Sequence, residues 1–205
     1  VRGSVRWPHQ FSVSRAGDKC ILDSIRITPT GTFPIARSDP EYQFDRNPNR
    51  IMRQEIRIEL PADPKLAAQP QCAPNVVGIL LSGVTLFNAL NDGCDAVAHE
   101  MQDSCHGHPQ PTSVHHYHSL TNCLNSKPGG DGNSPLVGYG LDSFGIYGSY
   151  ENGRQLIGAD LDGCHGRANL IDWDGRKVAT YHYVATVGFP HTFGCMRGTY
   201  ARSLV

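Results

Sequence analysis

The sequence predicts a mainly β protein: a single β-rich domain, sandwich or barrel-like, with long loops, disulfides and at most short helices. Three observations lead there. Strand-length stretches of alternating or β-branched residues recur along the chain. Twenty-two glycines and fourteen prolines punctuate them. Seven cysteines are spread through the loop-rich remainder, in the manner of a disulfide framework. At 205 residues the chain is long enough to bury a core, and we take 1–205 as one domain.

In chain order, "CILDSIRIT" (20–28) is the first strand candidate. "TPTGTFPIARSDPEYQFDRNPNR" (28–50) is a loop, rich in proline and turn residues. "EIRIEL" (55–60) sets Ile56, Ile58 and Leu60 against Arg57 and Glu59, the alternation of a half-buried strand. "NVVGILLSGVTLFN" (75–88) reads as two buried strands broken at Ser82-Gly83. "CDAVAHEMQD" (94–103) is the one stretch with a helical pattern. "NSKPGGDGNSP" (125–135) is a loop, and "PLVGYGLDSFGIYG" (135–148) a hairpin turning at 141–143. "KVATYHYVAT" (177–186) follows the turn signal "DWDG" (172–175) as a β-branched and aromatic strand.

Formal net charge is −1, with 18 basic and 19 acidic residues, which argues against nucleic acid or a membrane surface as partner. No apolar run reaches membrane length. No secretory signal and no N-glycosylation sequon occur, and we read the chain as the mature part of a secreted, periplasmic or cell-surface protein. There is no C-x-x-C pair, which removes zinc ribbons and thioredoxin-type sites. Cys105 and Cys123 flank one histidine-rich strand, and Cys164 and Cys195 flank a second, so each is expected to pair. Cys20 with Cys72 is the third expected pair. That leaves Cys94 unpaired and available for self-assembly or an extracellular partner.

Histidine carries the chemistry. In "CHGHPQPTSVHHYH" (105–118) five of fourteen residues are histidine. A weaker copy follows: Asp103-Ser-Cys105-His-Gly-His108 precedes a strand with His116-Tyr-His118, and Asp162-Gly-Cys164-His-Gly-Arg167 precedes one with Tyr181-His182-Tyr183. Side chains alternate along a strand, so His116 and His118 share a face. If the two strands are neighbours, His108, His116, His118 and His182 converge. Neutral imidazoles so gathered suit Cu(II) or Zn(II). The bland alternative is a set of packed, hydrogen-bonded histidines in a polar interior.

"DSCHGHP", "HHYH", "GYGLDSFGIYG", "YHYV" and "FPHTFGCMRG" together resemble the YHYH-domain family of secreted, mostly bacterial proteins over roughly 76–198. The resemblance implies a β-rich domain and names no reaction. His115 stands where that pattern has its first tyrosine; His116, Tyr117 and His118 match. In the second copy Tyr181, His182 and Tyr183 match, but Val184 replaces the last histidine and Arg167 stands in the place that His108 keeps in the first. A metal site should therefore lean on the first copy plus His182.

Asp103, Asp142 and Asp162 read either as turn-capping carboxylates or as groups that orient a ligating histidine. Asp160, Asp162, Asp172 and Asp174 make calcium the weaker candidate, since they lack EF-hand spacing. No G-x-S-x-G elbow and no P-loop lysine are present, and oxidised cysteines cannot act as nucleophiles. Glu100, beside His99, is a candidate base. A secreted copper- or zinc-binding domain, catalytic only if a coordination position stays open, is the leading expectation. A metal-free extracellular binding module and a disulfide-stabilised surface protein are the alternatives.

Overall fold

A computed structural model describes residues 11–24, 33–53, 55–90, 100–103, 105–120, 123–124, 126–173 and 176–200. The protein is mainly β. β1 (Phe11–Ala16), β2 (Lys19–Ser24) and β3 (Ile56–Pro61) form a three-stranded antiparallel sheet. The alternation in "EIRIEL" is used as expected: Ile58 and Leu60 are buried, and Arg57 reaches across the outer face to Asp23 at 3.1 Å. β4 (Leu66–Cys72) pairs with the last strand among the described residues, β15 (Cys195–Gly198).

The main sheet holds β5 (Val76–Leu80), β6 (Thr85–Phe87), β7 (Gly107–Pro109), β8 (His115–Tyr117), β9 (Leu136–Gly140), β10 (Gly145–Tyr147), β13 (Gly166–Trp173) and β14 (Arg176–Val184). A short ribbon, β11 (Tyr150–Glu151) with β12 (Arg154–Gln155), leads to β13. The order across the main sheet is β13-β14-β10-β9-β5-β6-β8-β7. That order is a palindrome of hairpins. β5 meets β9 at the centre, each followed by its hairpin partner, then by a parallel step to an outer hairpin.

The two halves agree in register. Gly107 lies opposite Tyr117 and His108 opposite His116; Gly166 lies opposite Tyr183 and Arg167 opposite His182. The loops agree too. The Asp103 carboxylate accepts from the N–H groups of Cys105 and Gly107, and Asp162 does the same for Cys164 and Gly166. His106 and His165 both take left-handed backbone angles, φ 59° and 64°, to close that turn. Gly107 and Gly166 follow because a Cβ would strike a ring across the ladder; on Gly107 it would stand 2.6 Å from Cε1 of His115. The repeat legible at the cysteines thus extends through the inner hairpins "GILLSGVTLF" and "VGYGLDSFGIY" as a pseudo-twofold sheet.

One buried cluster joins Leu22, Ile58 and Leu60 of the small sheet to Ile79, Leu86, Tyr139, Ile146 and Tyr183 of the large one. Asp142 lies inside it, fully buried, and accepts from Tyr183 Oη (2.6 Å), Gly198 N (2.8 Å) and Phe144 N (3.3 Å). Burial raises its carboxyl, against those three donors. Tyr183 also stacks on Phe193 at 3.8 Å.

Two expectations are corrected. Residues 100–103 of the expected helix are not helical, and 94–99 lie outside the described residues. The reason is where the backbone bonds go: Met101 N–H donates to Asp45 (2.6 Å) and Asp103 N–H to Gly107 O (2.8 Å), not one turn back. Disulfides join Cys105 to Cys123 and Cys164 to Cys195. Cys20 and Cys72 are not joined to each other, because Cys20 is buried opposite Leu60 in the small sheet while Cys72 is exposed on β4. Cys94 lies outside the described residues.

Candidate metal centre

β7 and β8 are three-residue strands forced together by the Asp103 loop at one end and the Cys105–Cys123 bridge near it. Their antiparallel register puts His108 directly across from His116, and the alternation of β8 brings His118 to the same side. Nε2 of His108 lies 3.1 Å from Nε2 of His116 and 3.2 Å from Nε2 of His118. Ring centroids stand 4.6, 5.2 and 4.7 Å apart, a near-equilateral arrangement. Phe87 of β6 backs it, stacked on His116 at 4.0 Å.

Each imidazole meets a backbone carbonyl through its other nitrogen. Nδ1 of His108 contacts Met101 O (3.1 Å), Nδ1 of His116 contacts Val114 O (3.2 Å), and Nδ1 of His118 contacts Asn88 O (2.5 Å). A carbonyl only accepts, so each Nδ1 must carry the proton. The three neutral rings then aim bare Nε2 lone pairs at one another. Burial disfavours their charged forms: His116 is pushed down to about 2 and His118 to about 4, and His108 is lowered as well. In each case desolvation is the chief cause.

The cluster opens into a cavity of about 370 Å³, also lined by Asp45, Asn47, Asn49, Phe87 and Glu100. The 45–49 loop is held there by its own turn bonds and by amides of Asn47 and Asn49 on Pro109 O, each at 3.2 Å. Glu100 stands 3.4 Å from Nδ1 of His108. Among the described residues, His108, His116 and His118 are the group of three or more metal-ligating side chains close enough to share an ion.

His182 does not join them. β14 is separated from β8 by four strands, so His182 occupies the equivalent place in the other half. There it contacts Glu151 at 3.1 Å, and Arg167 and Asn169 reach the same carboxylate at 3.5 and 2.8 Å. Asp162 holds its own loop and accepts from Tyr181 Oη at 3.0 Å, and Asp142 stays in the core. Neither touches the three histidines. Asp103 acts one step removed: it fixes the loop carrying His108 and contacts His115 Nε2 at 2.7 Å. Asp160 is engaged by Arg154 and Ile157 N; Asp174 lies outside the described residues. The three anchoring carbonyls and the 45–49 wall carry no motif in the sequence. A carbonyl has no residue code, and only the turn-forming spacing of Asp45, Asn47 and Asn49 marked that loop.

Residues 57–156 match the family model described as YHYH protein. Over this stretch the chain is similar to the YHYH family. The comparisons with curated proteins and with solved structures found no match. The YHYH match begins in β3, earlier than the motifs suggest, and ends after β12. It holds both inner hairpins and the whole histidine cluster, while the weaker outer hairpin with His182 lies beyond it.

Proposed function

We propose that this protein is a metal-binding domain for copper or zinc in an oxidising compartment, with Nε2 of His108, His116 and His118 as ligands. The observation that carries it is the contact pattern: three buried rings each set Nδ1 against a carbonyl and bring their Nε2 atoms together, with separations of 3.1 and 3.2 Å from His108, which implies Nδ1–H tautomers with bare Nε2 atoms. Without a cation between them, those lone pairs face one another unfavourably. An ion with bonds of about 2.0–2.1 Å and near-tetrahedral angles needs donor separations of roughly 3.3 Å, close to what the cluster offers. Carbonyl-anchored imidazoles are also the usual outer support of histidine metal sites.

The threefold arrangement favours tetrahedral zinc, whereas intrinsic affinity favours copper. Three ligands facing a cavity of about 370 Å³ leave room for a fourth, from solvent or substrate. The two disulfides are compatible with export. Elemental analysis of untagged protein, purified without chelators, tests the proposal. One equivalent of copper or zinc per chain, absent from a His116→Ala/His118→Ala double variant, supports it. Metal-free wild-type protein that takes up neither ion on reconstitution counts against it.

A further inference from the structure

Cys72 closes β4, and the ladder sets it opposite Cys195 of β15. Ala73 N–H donates to Gly194 O at 3.2 Å, one position beyond Cys72 and one before Cys195. That bond makes Cys72 and Cys195 a non-hydrogen-bonded antiparallel pair. At such pairs the Cα atoms come to about 4.5 Å and the two side chains stand side by side on one face. This spacing is within the range a disulfide spans. Cys195 is nevertheless bonded to Cys164, whose Cα lies 4.9 Å away, while Cys72 is an exposed free thiol. Cys195 therefore has two cysteine neighbours, Cys164 through its disulfide and Cys72 across the ladder.

We infer that Cys72, Cys195 and Cys164 form a thiol–disulfide exchange site in which Cys195 can bond to either neighbour. Cys72 loses its proton to solvent, and its thiolate attacks Cys195 Sγ. A Cys72–Cys195 bond forms as the Cys195–Cys164 bond breaks, its electron pair leaving on Cys164, which takes up a proton. Thiol and disulfide counts are unchanged, so no outside oxidant or reductant is needed. The exchange moves the tether of β15 from the 162–166 loop to β4. It also exchanges an exposed thiol for the buried one of Cys164.

Disulfide mapping tests this on the full chain. The protein is held at about pH 8.5, where free thiols generally ionise. It is then quenched in acid, alkylated, digested at low pH without reductant and sequenced by mass spectrometry. Besides Cys105–Cys123, the expected result is two linkages of Cys195, to Cys164 and to Cys72, the second in about a tenth of molecules or more and independent of protein concentration. Cys72→Ser should leave Cys164–Cys195 alone, and Cys164→Ser should convert Cys195 to the Cys72 bridge. Only Cys164–Cys195 in the wild type at every time point would overturn the inference. So would a folded Cys164→Ser variant with Cys72 and Cys195 both alkylated. Should Cys164→Ser fail to fold, the wild-type map decides.

Discussion

His116 is buried, packed on Phe87 with its Nε2 beside that of His108. Its proton affinity follows from that position. Folded His116 is held near 2 and His118 near 4, against about 6.5 in an unfolded chain. Between those values the unfolded state binds protons that the folded state refuses, so stability falls as pH falls. The metal-free protein should be at full strength above pH 6.5. It should lose about 1.4 kcal/mol per pH unit for each such histidine as acid is added. His118's share ends near pH 4; that of His116 continues toward 2. His108, His165 and His182 are lowered in the same direction and add to the slope. Urea unfolding at pH 7 and 4.5 measures it, and His118→Gln should flatten it. A stability that is level across this range would mean these rings are not buried neutral.

The β7–β8 hairpin is the element that assembles the site, and its weak point is Gly107. A methyl group there would stand 2.6 Å from His115 Cε1 and 2.7 Å from Tyr117 Cδ1, so β7 would have to move away and carry His108 with it. Gly107→Ala should weaken metal binding tenfold or more and lower the melting temperature. Gly130→Ala, with open space around its Cβ position, should change neither. Parent-like metal affinity in Gly107→Ala would show that the hairpin does not set the geometry. Much of this element was legible. The shared face of His116 and His118 followed from strand alternation, and His108 from its place in the repeated loop. What periodicity could not supply was the neighbour relation between strands. The sequence places His182 at the same site only if β14 lies beside β8, whereas β6, β5, β9 and β10 stand between them.

Across the whole molecule, the pseudo-twofold sheet divides the work: one half gathers imidazoles, and the other builds core. Tyr183 sits at the position of Tyr117, but its hydroxyl donates to Asp142 and accepts from Arg197 N at 2.8 Å, tying β14 to β15. Tyr183→Phe keeps the ring but removes one of the three donors to the buried Asp142 carboxylate and the acceptor of Arg197 N–H, at about 1–3 kcal/mol. Tyr183→Ala loses the ring as well, at about 3 kcal/mol or more. Chemical denaturation of the two variants should rank them in that order, and equal, parent-like stability would contradict this reading of the core. The twofold itself was half-visible. Cysteine, histidine and aspartate spacings exposed the outer copies. The inner hairpins share a turn geometry but little sequence, since Gly83 and Ser143 both take positive φ (90° and 68°) with different side chains. The central claim remains the three-histidine metal site. Calorimetric titration of metal-stripped protein with Zn(II) and with Cu(II) at pH 7 tests it most directly. The account predicts one equivalent bound tighter than about micromolar, weakened tenfold or more in His118→Ala and unchanged in His9→Ala. Binding of neither ion at that strength, or a His118→Ala variant that binds as well as the parent, would contradict it.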